Sequence, residues 1–371
     1  MSESQKKLKF GIIGTGWIAQ SHAVALHKLP DVEVVALADL VPGKAEAFGK
    51  EYGFENARCY ESDAALLDAE KDLDAVCICT YNCQHAPCTI NALKHGVHVM
   101  LEKPFTVTLE EAIECMKVEK ETGKILTIGF QPRMSKNLQI IKEIIASGEL
   151  GDIYYMQSSG GRRYGIPTPY GTTFIEKETA GIGALADLGC YSIDMLMNAV
   201  GNPKPISCTG YTSDFFGKDP ESYPGHPEYA EKFNVDDFAA AFVRLEGGIV
   251  FDFRISWSMH MDPLAGDAII LGTKGGMRIP NAGCWNGDFS KPVVVYKKVG
   301  NQAIEYEIPF KDTANKQDLF YLKLRSFADA IKNGGKAPVP TSEIIYNQAI
   351  ISAIAKSAEL GEEVKIEIPE I

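Results

Sequence analysis

Lys9-Phe10-Gly11-Ile12-Ile13-Gly14-Thr15-Gly16-Trp17-Ile18-Ala19 decides the fold of this chain. An apolar strand runs into a glycine turn, and the turn opens a helix predicted from Trp17 to about Leu29. Gly14 permits the tight turn, Gly16 lets a pyrophosphate approach the backbone, and Ala19 is small enough for close helix–strand packing. The N–H groups at the helix start face the anion. The stretch thus reads as the phosphate cradle of a dinucleotide-binding fold. A second strand, predicted over 32–38, ends in Asp39. A carboxylate there accepts both ribose hydroxyls of an adenosine and repels a 2′-phosphate. Leu40, Val41 and Pro42 offer no arginine for that phosphate. The expected cofactor is NAD rather than NADP, with Lys44 the nearby cation that could serve the phosphorylated form.

Outward from this stretch, short apolar strands alternate with amphipathic helices. Strands are predicted over 9–13, 32–38, 75–79, 98–101 and 125–129, and helices over 17–29, 44–52, 62–69, 86–95 and 108–122. That alternation implies an α/β domain with a parallel, doubly wound sheet over residues 1–130. From about residue 131 the pattern changes. A helix is predicted over 135–147. Alternating strands then dominate, over 153–159, 206–211, 237–245, 248–255, 268–271, 276–279, 293–297 and 304–308. Helices are predicted only near 182–200, 318–332 and 343–360. Residues 131–371 therefore read as an α+β domain with an open, mostly antiparallel sheet, helices on one face, and a last helix that can pack back toward the first domain. The other face carries apolar residues such as Phe251 and Phe253, which partner subunits are expected to cover in a homodimer, homotetramer or larger assembly. The Pro-, Gly- and Tyr-rich segment 213–233 reads as a long functional or interface loop.

Composition narrows the function. With 371 residues, two domains fit. A net charge of −12 argues against nucleic acid or an anionic membrane as partner. No apolar run approaches a membrane span, and the polar start of the chain lacks a signal-peptide core. Nine cysteines, mostly in apolar stretches, suit free buried thiols in a reducing cytoplasm. Cys77, Cys79, Cys83 and Cys88 lack the close pairing of structural zinc, so they read as core or loop thiols and no metal is expected.

The strand at 98–101 runs into Glu102-Lys103-Pro104. Parallel strands deliver their C-terminal ends to the ligand crevice, which puts Lys103 near the nicotinamide end of a dinucleotide. Pro104 holds Lys103 extended and allows a cis peptide. Downstream, Asp187 and Tyr191 are spaced i, i+4, and Asp194 follows three residues on, so all three can share one face of a predicted helix.

Together with Asp39 and Gly151-Asp152-Ile153, five longer stretches resemble the glucose–fructose oxidoreductase / inositol dehydrogenase / rhizopine catabolism (Gfo/Idh/MocA) family over essentially the whole length. They are Gly14-Thr15-Gly16-Trp17-Ile18-Ala19, Thr80-Tyr81-Asn82-Cys83-Gln84-His85, Gly96-Val97-His98-Val99-Met100-Leu101-Glu102-Lys103-Pro104, Asp187-Leu188-Gly189-Cys190-Tyr191-Ser192-Ile193-Asp194 and Leu271-Gly272-Thr273-Lys274-Gly275. The resemblance implies a Rossmann domain in which Gly14, Gly16, Trp17, Ile18, Asp39, Thr80, Asn82, His85, Glu102 and Lys103 hold NAD, with Asn82 and His85 bordering the nicotinamide. It also implies that Lys103 is the catalytic lysine, with Asp187 and Tyr191 beside it in the chemistry. The chain departs from the family in having Tyr81 where Pro is usual. It also has Tyr191 where many members place His, as the glucose–fructose oxidoreductase-like branches do. A free tyrosine titrates near ~10, so as a base it needs a cation to favour the phenolate. Either Tyr191 takes the proton with help from Lys103, or Lys103 takes it and Tyr191 positions the hydroxyl.

Substrate contacts are expected from Lys103, Arg162, Arg163, Tyr164, Asp187, Tyr191 and His260, with Tyr170, Gln131 and Arg133 as softer candidates. Cys190 reads as packing, and His22 and His27 carry no assigned role. The expected reaction is hydride transfer between nicotinamide and a ring secondary alcohol of a sugar, glycoside or cyclic polyol. By resemblance to glycoside 3-dehydrogenase-like members it is the C3 hydroxyl, giving a 3-keto sugar. Inositol dehydrogenation, a redox-neutral cycle on retained NAD (sugar–sugar oxidoreductase or NAD-assisted glycosidase) and a non-catalytic NAD and sugar sensor are the alternatives.

Overall fold

The computed structural model describes residues 7–169, 171–261, 266–280, 292–308 and 316–371, so Tyr170 lies outside the described residues. The chain divides into two compact units, one of Met1–Gln131 with Lys316–Ser342 and the other of Pro132–Asn315 with Glu343–Glu370.

In the first unit the strands are β1 (Leu8–Ile13), β2 (Val32–Ala38), β3 (Arg58–Tyr60), β4 (Ala75–Ile78), β5 (His98–Leu101) and β6 (Leu126–Ile128). The helices between them are α1 (Trp17–Leu26), α2 (Lys44–Glu51), α3 (Asp63–Ala69), α4 (His85–Lys94) and α5 (Leu109–Thr122). All pairs are parallel, in the order β3-β2-β1-β4-β5-β6. This is the doubly wound order, whose switch point lies between β1 and β4. Local signals set the helix ends. Ser62 Oγ accepts the Ala65 N–H, Thr108 and Glu111 form a capping box, and Gly123 closes α5 in the left-handed region. The three-residue, half-exposed β3 carries too little alternation to be seen in the sequence.

Helix α9 (Lys316–Asn333) belongs to this unit, which corrects the single boundary expected at residue 130. Its Phe320, Leu324, Phe327 and Ala328 join Phe10, Ile12, Ala19 and Ala23 in one core cluster, and Phe327 meets Phe10 edge to face at 5.8 Å. The returning helix is thus α9, whereas the last helix, α10 (Thr341–Leu360), lies almost wholly in the second unit.

The second unit holds α6 (Lys136–Ala146), β7 (Ile153–Gly161), α7 (Lys177–Ala180), α8 (Cys190–Ala199), β8 (Pro205–Ser213), β9 (Phe238–Leu245), β10 (Val250–Ser256), β11 (Ala268–Gly272), β12 (Gly275–Ile279), β13 (Val293–Val299), β14 (Gln302–Ile308) and β15 (Val364–Lys365). Their order is β14-β13-β12-β11-β7-β10-β9-β8-β15, antiparallel throughout except for the parallel pair β7–β10. The expected helix over 182–200 opens as a π-helical turn, Leu185–Gly189, before continuing as α8. A Cβ on Gly189 would stand 2.9 Å from the Phe253 ring, so the turn lies tight on the sheet.

That contact corrects the expected cover of Phe251 and Phe253. Both are fully buried, in register with Val243 and Ala241 on the helix-covered face. Exposed aromatics of the opposite face include Phe242, paired with Asp252, and Tyr211, paired with Ala240. Among the described residues, 177–199 is the one helical stretch long and apolar enough to cross a membrane, and 89% of it is buried in the fold.

Candidate active site

The nucleotide cradle sits at the switch point of the first unit. Gly14 has φ +85°, and a Cβ there would come within 2.8 Å of the Cys79 carbonyl and the Thr80 nitrogen, so β1 and β4 close on a glycine. A Cβ on Gly16 would meet nothing within 4 Å, which leaves the start of α1 open to a ligand. Gly16 is the N-cap and no side chain caps the helix there, as an anion site requires. These features fit NAD.

Asp39 accepts the Thr15 N–H and hydroxyl (both 2.8 Å) and the Val41 N–H (3.0 Å), and it pairs with Lys44 at 3.0 Å. Burial pushes its pKa up, but these N–H groups, the Thr15 hydroxyl and Lys44 outweigh that, and the carboxylate stays below its usual range. Lys44 is therefore already occupied by Asp39. Trp17, half exposed, and Ile18 form the first turn of α1. Thr80 follows β4, and Asn82 opens the short 3₁₀ turn before α4.

Two of the residues expected to touch the cofactor are buried and bonded within the first unit. His85 is buried, its Nδ1 2.7 Å from the Pro104 carbonyl and its Nε2 3.3 Å from the Thr80 carbonyl. Burial pushes its pKa down, which suits a neutral ring donating Nδ1–H to Pro104. It braces the loop after β4 against the loop after β5. Glu102 is also buried, bonded to His22 and Lys323. Lys103 follows at the C-terminal end of β5, and the Lys103–Pro104 peptide is cis.

The second unit gathers a separate set. Asp187 lies in the π-helical turn, nearly buried, and its Oδ2 accepts the indole N–H of the fully buried Trp257 at 2.9 Å. The Arg162 guanidinium stands 4.0 Å from the same oxygen and donates to the Gly165 carbonyl at 2.9 Å. Asp236 holds the turn from outside. Its carboxylate accepts the Gly183 and Leu185 N–H groups (2.7 and 2.8 Å) and its carbonyl accepts that of Ala184 (2.9 Å). Burial pushes Asp236 up to about 6 despite these bonds. A Cβ on Gly183 would fall 1.9 Å from the Asp236 carbonyl, so the approach needs glycine. Tyr191 is buried in the first turn of α8.

His260 is in the left-handed region (φ +55°), its N–H donating to the Arg163 carbonyl at 3.1 Å. Its ring is flanked by Phe216 (4.4 Å, stacked) and by Tyr164 (4.5 Å), which is 65% exposed. Segment 213–233 thus brings an aromatic next to Arg162 and Arg163. Arg163 itself is exposed.

Two softer expectations are corrected. Asp194 is bonded to Arg133, and the π turn between Asp187 and Tyr191 breaks the α-helical i, i+4 relation expected for that pair. Arg133 is accordingly not a free ligand contact; it is buried between Asp194 and Glu343. Cys190 is buried, with its Sγ 3.6 Å from the Asp187 carbonyl. Cys77 and Cys88 are buried thiols pushed up to about 12 by burial. Trp257, Gly183, Asp236, His22 and Lys323 received no role from the sequence. A tryptophan directly after a strand was the one usable signal, since a buried indole N–H needs an acceptor.

Comparison with known proteins matches most of the chain to one family. Residues 8–130 match a model described as oxidoreductase family, NAD-binding Rossmann fold, and residues 138–278 match the GFO/IDH/MocA C-terminal domain. The chain is 35% identical over 211 residues to D-glucoside 3-dehydrogenase of Escherichia coli (strain K12) and 29% identical over 202 residues to inositol 2-dehydrogenase of Rhizobium meliloti (strain 1021). The matched stretches cover 57% and 54% of this chain and 59% and 57% of those enzymes. A levoglucosan dehydrogenase solved in complex with NADH shares the fold, with a TM-score of 0.82 at 20% identity over 99% of this chain and 100% of that one. With both halves matched by its models, the chain belongs to the Gfo/Idh/MocA oxidoreductase family.

Proposed function

We propose that the protein is an NAD-dependent dehydrogenase of a glycoside or sugar ring, oxidising a secondary hydroxyl at C3 to a 3-keto sugar. The observation that carries this reading is Asp187, a nearly buried carboxylate fixed by the Trp257 N–H with the Arg162 guanidinium beside it. Such a pair grips the vicinal hydroxyls of a ring, accepting from one and donating to the next. Tyr164, His260 and Phe216 add an aromatic surface next to Arg162 that suits the apolar face of a pyranose or its aglycone. The choice of C3 draws on the identity with the D-glucoside 3-dehydrogenase.

When bound, NAD supplies the hydride acceptor at C4 of its nicotinamide. Lys103 and Tyr191 handle the hydroxyl proton, one as acceptor and the other in support. The Lys103 ammonium also stabilises negative charge on the substrate oxygen as the carbonyl forms. Asp187 orients the ring so that one C–H faces the acceptor.

The test is the nicotinamide absorbance of purified protein with excess NAD and a panel of glucosides, free sugars and inositols. NADH forming fastest with glucosides, with a 3-keto product by NMR, is the expected result. Preference for inositols would replace this reading with the one that the Rhizobium relative favours. A single redox change of copurified cofactor without net turnover would mean a retained-NAD cycle, and no response to any polyol would leave a sensor.

We also propose that the protein is a homo-oligomer through the open face of its second sheet. Phe242 (42% exposed) and Tyr211 (52% exposed) form part of an aromatic surface there. Light scattering is expected to give a dimer or tetramer that Phe242→Asp dissociates; a monomeric wild-type protein at micromolar concentration would overturn this.

A further inference from the structure

We propose that Lys323 and His22 are positioning residues for Lys103, acting through the Glu102 carboxylate. The inference rests on the reading of Lys103 as the catalytic lysine.

Glu102 follows the last residue of β5 and sits at the centre of a buried charge cluster. Its Oε1 receives Lys323 Nζ from α9 at 2.5 Å and His22 Nε2 from α1 at 2.6 Å. Its Oε2 receives the backbone N–H of Lys103 at 3.3 Å. Lys323 is 1% exposed, with its ammonium 4.1 Å from the centre of the Phe320 ring. Gly129 makes room for the carboxylate, since a Cβ there would lie 2.9 Å from Oε1. Two helices therefore grip the residue immediately before Lys103.

Stability alone is a weak reason for such a cluster. Desolvating a carboxylate and an ammonium costs about as much as their attraction returns, and an apolar core of the same volume does as well. What the cluster adds is direction. Lys323 and His22 fix the Glu102 side chain, and Glu102 then fixes the backbone from which Lys103 projects.

Charge balance assigns the protons. Lys323 neutralises Glu102, so His22 is left neutral; burial and the Lys323 charge both push its pKa down. A neutral His22 must donate Nε2–H to Glu102, which leaves Nδ1 a bare lone pair. Among the described residues that atom has no partner. The other titratable groups nearby are the Cys77 and Cys79 thiols of β4 and its end, pushed well up by burial and so uncharged, and His85, whose pKa burial pushes down and whose ring nitrogens face the Pro104 and Thr80 carbonyls. His22, the histidine in direct contact with the Glu102 carboxylate, is then placed to take over as counter-cation if Lys323 loses its charge.

The test compares wild type, Lys323→Met, Lys323→Arg, Lys103→Met and the double variant His22→Gln/Lys323→Met, each by kcat against pH and by KM for NAD. Lys323→Met is expected to acquire a new descending limb on the alkaline side. Protonated His22 supports Glu102 below it, and kcat falls roughly 10–100-fold as His22 loses its proton. KM for NAD changes far less. His22→Gln/Lys323→Met removes the limb and is low at every pH, and Lys323→Arg restores the wild-type profile. Should Lys323→Met not fold, Lys323→Gln is expected to show the same limb. A cluster that only supports the fold would lower Tm while kcat per folded enzyme kept its wild-type profile, and that result overturns the inference. Full turnover by Lys103→Met would instead overturn the reading on which it rests.

Discussion

Replacing Lys103 by methionine is expected to lower kcat by about 10²–10⁴-fold, the usual contribution of a positioned acid or base. NAD affinity should change little, because the cradle at Gly14, Gly16 and Asp39 stays intact. Three features place Lys103 so well that small changes there should be costly. It stands at the C-terminal end of β5, one strand from the switch point. His85 ties the next carbonyl, that of Pro104, at 2.7 Å. Glu102 receives its backbone N–H. Lys103→Arg then separates the two proton schemes. Arginine keeps the positive charge but does not release a proton near neutral pH. If Lys103 is the base, Lys103→Arg is as inactive as Lys103→Met. If Tyr191 is the base and Lys103 supplies only charge, Lys103→Arg recovers part of kcat and Tyr191→Phe is the more damaging change. Single-turnover NADH formation with the best glucoside, alongside NAD titration by protein fluorescence, gives both quantities. Near-wild-type kcat in Lys103→Met would remove this lysine from the chemistry.

Much of this was legible because the signals are local. The run from Lys9 to Ala19 writes strand, turn and helix within a few residues, and Gly14 does meet β4 too closely for any side chain. Thr108 with Glu111, and Ser62 before α3, fix helix starts within a turn. Legibility ends where a partner is remote in sequence. Lys323 lies 221 residues from Glu102, Trp257 lies 70 from Asp187, and Arg133 lies 61 from Asp194. A lysine inside an amphipathic helix reads as solvated until the helix is seen packed on β1. The π turn at Leu185–Gly189 is a second case. Spacing by four assumes an unbroken α-helix, and one wide turn between Asp187 and Tyr191 breaks that relation, while the partner of Asp194, Arg133, is remote in sequence. Phe251 and Phe253 show the same weakness in a strand. Alternation tells that they share a face, but not which face the helices cover.

Removing one partner of the Arg133–Asp194 pair should cost the second unit about 3–5 kcal/mol, the range for stranding a buried charge. Arg133 donates to Asp194 from Nε, at 3.0 and 3.1 Å to the two carboxylate oxygens, and from NH2 at 2.7 Å, and its NH1 donates to Glu343 in the first turn of α10. Burial alone would lower the Arg133 pKa, yet the two carboxylates raise it, so the guanidinium is held charged. Asp194 sits as deep as Arg133, whereas the Glu343 side chain is about one third exposed and also accepts from Asn202 at 3.2 Å. The three residues tie the 3₁₀ turn before α6 to α8 and α10. Arg133→Met leaves Asp194 charged in a dry site and should lose most of that energy, a large share of the ~5–15 kcal/mol that folds a typical domain. Glu343→Gln should lose far less, since water already shares its load. Arg133→Met/Asp194→Leu should recover much of the loss, because no stranded charge remains. Denaturant titration of the four proteins, followed by hydrogen exchange at α8 and α10 to isolate the second unit, measures each cost. An Arg133→Met variant as stable as wild type but with weakened NAD binding would return Arg133 to the ligand contact first read from the sequence.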